Sequence, residues 1–142
     1  MNGGVAVDDR GALRFVNDFD FRDVKRFYQV ENFDINTIRA FHGHMKEGKY
    51  VYVVSGSIIL CAVYIDNFKK PSKKNEMERI ILSARKPQIV FIPPHYANGF
   101  KALEPGTKVM FFSTSTLEES KNDDYRYFFD YWGKKIWETE NR

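Results

Sequence analysis

The chain has 142 residues, a formal net charge of +3 and 43% hydrophobic residues, which is enough for one core of its own and too apolar for a disordered chain. No apolar run approaches the roughly 18 residues of a membrane-spanning helix, the N-terminus lacks the apolar stretch of a secretory leader, and the one basic run, Lys69 to Lys74, is too short for a nucleic-acid footprint. The single cysteine, Cys61, excludes an internal disulfide, so the chain reads as soluble and cytoplasmic, with neither membrane nor nucleic acid as a partner.

Aromatic residues make up 16% of the chain, a density that pleated strands favour. Residues 1–4 read as a loose end. The turn Asp8-Asp-Arg-Gly11 leads into a strand from Ala12 to Val16. Val24 to Val30 alternates apolar and polar, and Thr37 to His42 is the next candidate. Lys49 to Val54 stops at Ser55-Gly56 and Ser57 to Ile65 follows at once, which predicts a tight hairpin. Glu78 to Leu82, Gln88 to Ile92 and Lys108 to Ser113 complete the set, punctuated by Pro93-Pro94, Gly99 and Pro105-Gly106. A short helix is expected near Thr116 to Glu119, and the aromatic tail Tyr125 to Trp137 is expected against the outside of a sheet. Residues 138–142 read as a second loose end. Seven or more short strands predict an all-β sandwich or barrel, in one domain over residues 1–142.

Two of the three histidines stand two apart, at His42 and His44. On a strand they share one face. Three fates are open to them. With Glu47 they could hold a first-row metal, but a third histidine would have to come from Ile92-Pro-Pro-His-Tyr-Ala-Asn-Gly-Phe100, where His95 falls in the turn and is expected to point elsewhere. They could transfer protons, since histidine is the commonest general base, with Lys49 steadying a developing oxyanion. Or they could be structural; so many polar groups beside Arg39, Glu47 and Lys49 then require a wet pocket.

Several motifs in order carry a family likeness. Asp9-Arg-Gly11, Arg39-Ala-Phe-His42, Gly48-Lys-Tyr-Val-Tyr-Val-Val-Ser-Gly56, Leu82-Ser-Ala84 and Ile92 to Phe100 are similar to conserved turns and strands of one cupin family. The chain resembles the dTDP-4-dehydrorhamnose 3,5-epimerases and the related sugar-nucleotide 3,4-ketoisomerases, from about Asp8 to about Trp137. The resemblance implies a cupin-type jelly-roll barrel or sandwich with a short C-terminal helical or irregular segment. It implies a cofactor-independent isomerase, without a metal, acting on a nucleoside-diphosphate 4-keto-6-deoxyhexose, dTDP first, in deoxysugar and cell-surface polysaccharide biosynthesis. Carried over by position, His42 is the general base and Lys49 sits near the 4-keto oxygen. Arg39 and Arg10 contact the diphosphate, Arg10 across a dimer interface, because the arginine fork suits phosphate. Asn98 and Tyr96 contact substrate. A homodimer is expected, as symmetric dimers are the commonest oligomers.

Three departures stand out. Phe111 stands where the epimerases place a catalytic tyrosine, and phenylalanine donates no proton; Tyr50, Tyr52, Tyr64 and Tyr96 are candidate substitutes. His44 stands where the epimerases carry glutamine, a spelling nearer the ketoisomerases, for which two bases on one side of the sugar suffice; it is the second catalytic candidate. The family's C-terminal acidic partner for the base has no assignable counterpart. A non-catalytic sugar-nucleotide-binding cupin is the reading from a different class.

Overall fold

The computed structural model describes residues 1–142. Eleven strands form, all paired antiparallel: β1 (Gly4–Asp8), β2 (Gly11–Phe15), β3 (Arg26–Glu31), β4 (Ile38–His44), β5 (Lys49–Ser55), β6 (Ser57–Tyr64), β7 (Met77–Ser83), β8 (Ile89–Ile92), β9 (Tyr96–Ala102), β10 (Lys108–Ser113) and β11 (Tyr125–Arg126). One sheet has the order β3-β10-β5-β8 and faces a second with the order β11-β4-β9-β6-β7. β1 and β2 form a separate hairpin. This is the all-β jelly-roll sandwich that the turn spacing and the motifs predict. The one α-helix, α1 (Leu117–Lys121), begins at Thr116, whose side chain and Glu119 complete a capping box. No helix is long and apolar enough to cross a membrane.

The space between the sheets is filled by Val51, Val53, Ile58, Leu60, Leu82, Ala84, Ile92, Phe100, Val109 and Phe111. A second cluster, on Phe41, Ile59, Cys61, Val63, Ile65 and Ala97, lies on the other face of the β4-β9-β6 sheet. Trp137 closes it, with Tyr127, Trp132 and Ile136 packed beside, so the aromatic tail covers the outside of a sheet as expected. Trp137 is 2% exposed and its indole N–H donates to the Phe129 carbonyl at 2.8 Å; truncation there costs about 3–5 kcal/mol. Both faces of β6 are therefore covered, which is why Ser57 to Val63 is buried without a break and the sequence runs apolar rather than alternating.

Three expectations are corrected. β5 and β6 do not pair with each other. They belong to opposite sheets, and the chain crosses between them at Gly56, whose φ of +76° suits glycine. A Cβ there would press on Thr107. Adjacent strands and a Ser-Gly turn spell a hairpin and a sheet crossing alike. Nor is the N-terminus loose: Met1 and Gly3 bond the backbone of Ile89 and Pro87, and Asn2 bridges to Gln88. Tyr96 to Ala102, not counted among the expected strands and read as punctuated at Gly99, is β9, a full central strand.

Candidate active site

The site is built on an irregularity in β4. Arg39 pairs with Phe100 and His42 with Asn98, so Ala40 and Phe41 together face the single residue Gly99. The extra residue is a bulge. Residues three apart on a regular strand point to opposite faces; the bulge lets Arg39 and His42 line the same cavity while Phe41 turns to the outer cluster. Gly99 makes room for it, since a Cβ there would lie 2.7 Å from the Ala40 Cα and the Arg39 carbonyl oxygen.

The cavity between the sheets has a volume of about 190 Å³. Arg39, His42, Asn98, Gly99 and Phe100 line it from one sheet, and Tyr28, Val30, Lys49 and Phe111 from the other. A groove of about 740 Å³ is lined by Ile38 to His42 of β4 and by Arg126, Phe128 and Phe129, and shares Arg39 and His42 with the cavity. Four of the residues singled out by sequence thus converge: Arg39, His42, Lys49 and Asn98.

Each is held differently. The His42 side chain is 38% exposed, and its Nδ1 stands 4.0 Å from Asp124 Oδ1. Asp124 precedes β11, where Tyr125 and Arg126 pair with Gly43 and His42, and its other oxygen accepts from Arg126 Nε at 3.0 Å. The structure thus sets a carboxylate beside the His42 imidazole where the sequence offered no assignable one; its only signal was the doublet Asp123-Asp124 after the short helix. Burial, then the Lys49 and Arg126 charges, hold the His42 pKa below its ordinary value, against the pull of Asp124. Neutral imidazole is the form that accepts a proton. Lys49 is 7% exposed, and burial lowers its pKa, countered by Glu47. The Asn98 amide donates to the His42 carbonyl at 3.3 Å, and Arg39 Nε donates to Asn32 Oδ1 at 2.6 Å.

His44, Arg10 and Tyr96 do not line the cavity. The His44 side chain is 5% exposed. Its Nδ1 reaches the Asp123 carbonyl at 2.5 Å and Glu47 Oε2 at 3.2 Å, and its buried Nε2 has no partner. Glu47 in turn accepts from Ser113 at 2.5 Å, Ser120 at 2.9 Å and Arg26 at 3.3 Å. The Asp123 carboxylate binds the backbone N–H groups of Met45, Lys46 and Glu47. His44 and Glu47 are thereby committed to each other, and no group of three or more His, Cys, Asp or Glu side chains is disposed to hold a metal ion. Arg10 lies in the β1–β2 turn, 87% exposed and paired with Asp8. Tyr96 packs against the core between the sheets. The other tyrosines named as acids face away: Tyr50 bonds Asp23 and stacks on Phe91, and Tyr64 is 53% exposed. Tyr52 shares the face of Tyr50, two residues along the strand. Tyr28, absent from that set, is the one tyrosine lining the cavity.

The sequence profile of the dTDP-4-dehydrorhamnose 3,5-epimerases matches residues 5–131. The chain belongs to this family. Among solved structures it is similar to the rmlC epimerase of Mycobacterium tuberculosis, with 20% identity and a TM-score of 0.72, covering 89% of this chain and 66% of that one. The dTDP-4-dehydrorhamnose 3,5-epimerase of Bacillus anthracis gives 21% identity and a TM-score of 0.73, covering 90% and 77%. The QdtA 3,4-ketoisomerase of Thermoanaerobacterium thermosaccharolyticum, solved as a double mutant with TDP, gives 18% and 0.68, covering 94% and 88%. At such identities the likeness carries the fold. A search of curated protein sequences gives no significant match. Epimerases and ketoisomerases of this family are isomerases that share one barrel.

Proposed function

We propose that this family member epimerises a nucleoside-diphosphate 4-keto-6-deoxyhexose, with dTDP as the nucleotide, at C3, C5 or both. The observation that carries the reading is the cavity in which His42, backed by Asp124, faces the opposite sheet with Lys49. A C–H beside a ketone is acidic because its carbanion delocalises onto the oxygen. Neutral His42 removes that proton, and the Lys49 ammonium steadies the enolate oxygen in a site where burial strengthens the attraction. The hexose ring occupies the cavity. The diphosphate and base follow the groove, where Arg39 and Arg126 offer two guanidinium forks and the exposed Phe128 and Phe129 offer flat apolar surface. Arg10, far out on its hairpin, serves the cavity of a second subunit in a homodimer; the exposed Val5, Val7 and Leu13 beside it supply an apolar contact. The protein works as a single-domain enzyme in the cytoplasm, in deoxysugar biosynthesis.

A specific observation favours a second reading, 3,4-ketoisomerisation. The chain spans 88% of the QdtA ketoisomerase but only 66% and 77% of the two epimerases. Against it, the second base that such a reaction draws on, His44, lies outside the cavity.

Incubation with dTDP-4-keto-6-deoxyglucose in D2O tests the proposal. Deuterium is expected at C3 or C5 with inverted product, and both are expected to vanish in His42→Gln. Movement of the ketone to C3 would establish the second reading, and binding without any exchange would sink both.

A further inference from the structure

We propose that the Tyr28 hydroxyl is the acid that protonates the substrate carbon on the face opposite His42. The inference rests on the epimerase reading and deepens it. Inversion at a carbon demands that the proton leave on one side and arrive on the other. His42 stands on β4, in one sheet; Tyr28 stands on β3, in the sheet across the cavity. The position beside it is Phe111, its directly paired cross-strand neighbour, which carries no proton to give.

The remaining lining offers poor alternatives. A guanidinium keeps its proton throughout the working pH range, and a side-chain amide does not release one, which removes Arg39 and Asn98. Lys49 is the electrostatic partner of the enolate oxygen. Tyr28 is left, and it is held for the task. Phe111 stacks on its ring at 5.2 Å with planes 11° apart, and the Arg26 guanidinium lies 4.9 Å from the ring centroid. No side chain or carbonyl of the protein bonds the hydroxyl, so it is free for substrate. Burial and the Glu47 charge push its pKa up to about 12, which keeps the phenol protonated at rest.

The step balances. His42 takes the proton from carbon, and the C–H electron pair becomes the enolate. The enolate carbon then takes the Tyr28 proton as the O–H bond breaks, and the ketone re-forms. Imidazolium and tyrosinate remain, and exchange with water restores both. A phenol is a stronger acid than a ketone's α-carbon, so the transfer runs downhill, and Arg26 steadies the tyrosinate.

The test follows dTDP-4-keto-6-deoxyglucose in D2O by proton NMR, with wild type, Tyr28→Phe and the double variant Tyr28→Phe/Phe111→Tyr. In Tyr28→Phe, inversion is expected to fall at least about 100-fold. Exchange with retained configuration, through His42 alone, is expected to stay within about 10-fold of wild type. The double variant returns a hydroxyl to the neighbouring ring and is expected to regain at least about 10-fold in inversion, a readout that stands even if the single variant melts early. Wild-type inversion in Tyr28→Phe would overturn the assignment and leave the base reading intact. Loss of exchange together with inversion in a folded Tyr28→Phe would place the hydroxyl on the base side and also overturn it. No exchange by wild type would remove both readings together.

Discussion

His42 and His44 leave one strand on one side of the sheet and meet different ends of the barrel. At the open end, His42 borders a cavity and a groove, is 38% exposed, and has the Asp124 carboxylate 4.0 Å behind it. At the closed end, His44 is 5% exposed and locked between Glu47 and the Asp123 carbonyl. The two aspartates that separate these fates are neighbours in sequence. Asp123 ties down the turn between β4 and β5, and Asp124 stands beside the His42 imidazole. One short segment after α1 therefore seals one histidine and equips the other. Residue type and strand alternation are common to both; access and partner distinguish them.

Substitutions at the open end should cost the most activity. His42→Gln keeps a polar side chain and loses the base, so turnover of the 4-keto sugar nucleotide should fall by about 10³-fold or more, within the range of a lost general base. Steady-state kinetics measure this, and a fall of only a few-fold would move the base elsewhere. Lys49→Met should lower kcat by about 10²- to 10³-fold with little change in KM, as a charge used chiefly on the enolate is lost. The same substitution should raise the melting temperature. Burial disfavours the Lys49 charge enough to lower its pKa despite Glu47, and methionine fills the space without that cost.

Asp124→Asn probes the partner. The imidazole loses a carboxylate that orients it, and kcat should drop about 10- to 100-fold. The pH profile gives a signed check. His42 acts when neutral, and its pKa already lies below the ordinary 6.5, so the acid limb of kcat/KM should fall below that pH in wild type. Asp124 is the charge that raises this pKa. Without it the limb should move further toward acid, even as the rate declines. A limb moving toward neutral pH would mean that Asp124 does not face the base.

How much of this could be read beforehand follows from how local each signal is. Alternation over Val24 to Val30 and the apolar run from Ser57 marked strands correctly, because burial on one or two faces writes itself into neighbouring residues. The crossing at Gly56 could not be distinguished from a hairpin, since the choice of sheet depends on partners far along the chain. β9 was hidden by prolines and glycine; Gly99 serves a bulge on the opposite strand rather than a turn. The motif Arg39 to His42 pointed to a residue that lines the cavity, but the face that His42 shares with Arg39 depends on that bulge, which nothing in the spacing reveals. Asp124 and Tyr28 were missed for the same reason: each matters only through the strand it lies against.

At the closed end, replacing the histidine should change turnover least. His44→Asn keeps an N–H donor for the Asp123 carbonyl and removes the ring. Under epimerisation, activity should change by no more than about 3-fold, because His44 does not border the cavity; under ketoisomerisation it should fall by about 10²-fold or more, as a second base is lost. Stability at pH 7 should decline by about 1–2 kcal/mol from the void and the altered contact with Glu47. The pH dependence of stability runs the other way. Burial holds the folded pKa of His44 below 6.5, so the unfolded chain binds that proton more readily. Wild-type stability is therefore lost as pH falls from 6.5 through the lowered value. Asparagine does not titrate, and the variant's denaturation midpoint should vary less across that window. A variant with unchanged acid sensitivity would mean that His42, not His44, supplies the coupling, and that the closed end is more open to protons than its burial implies.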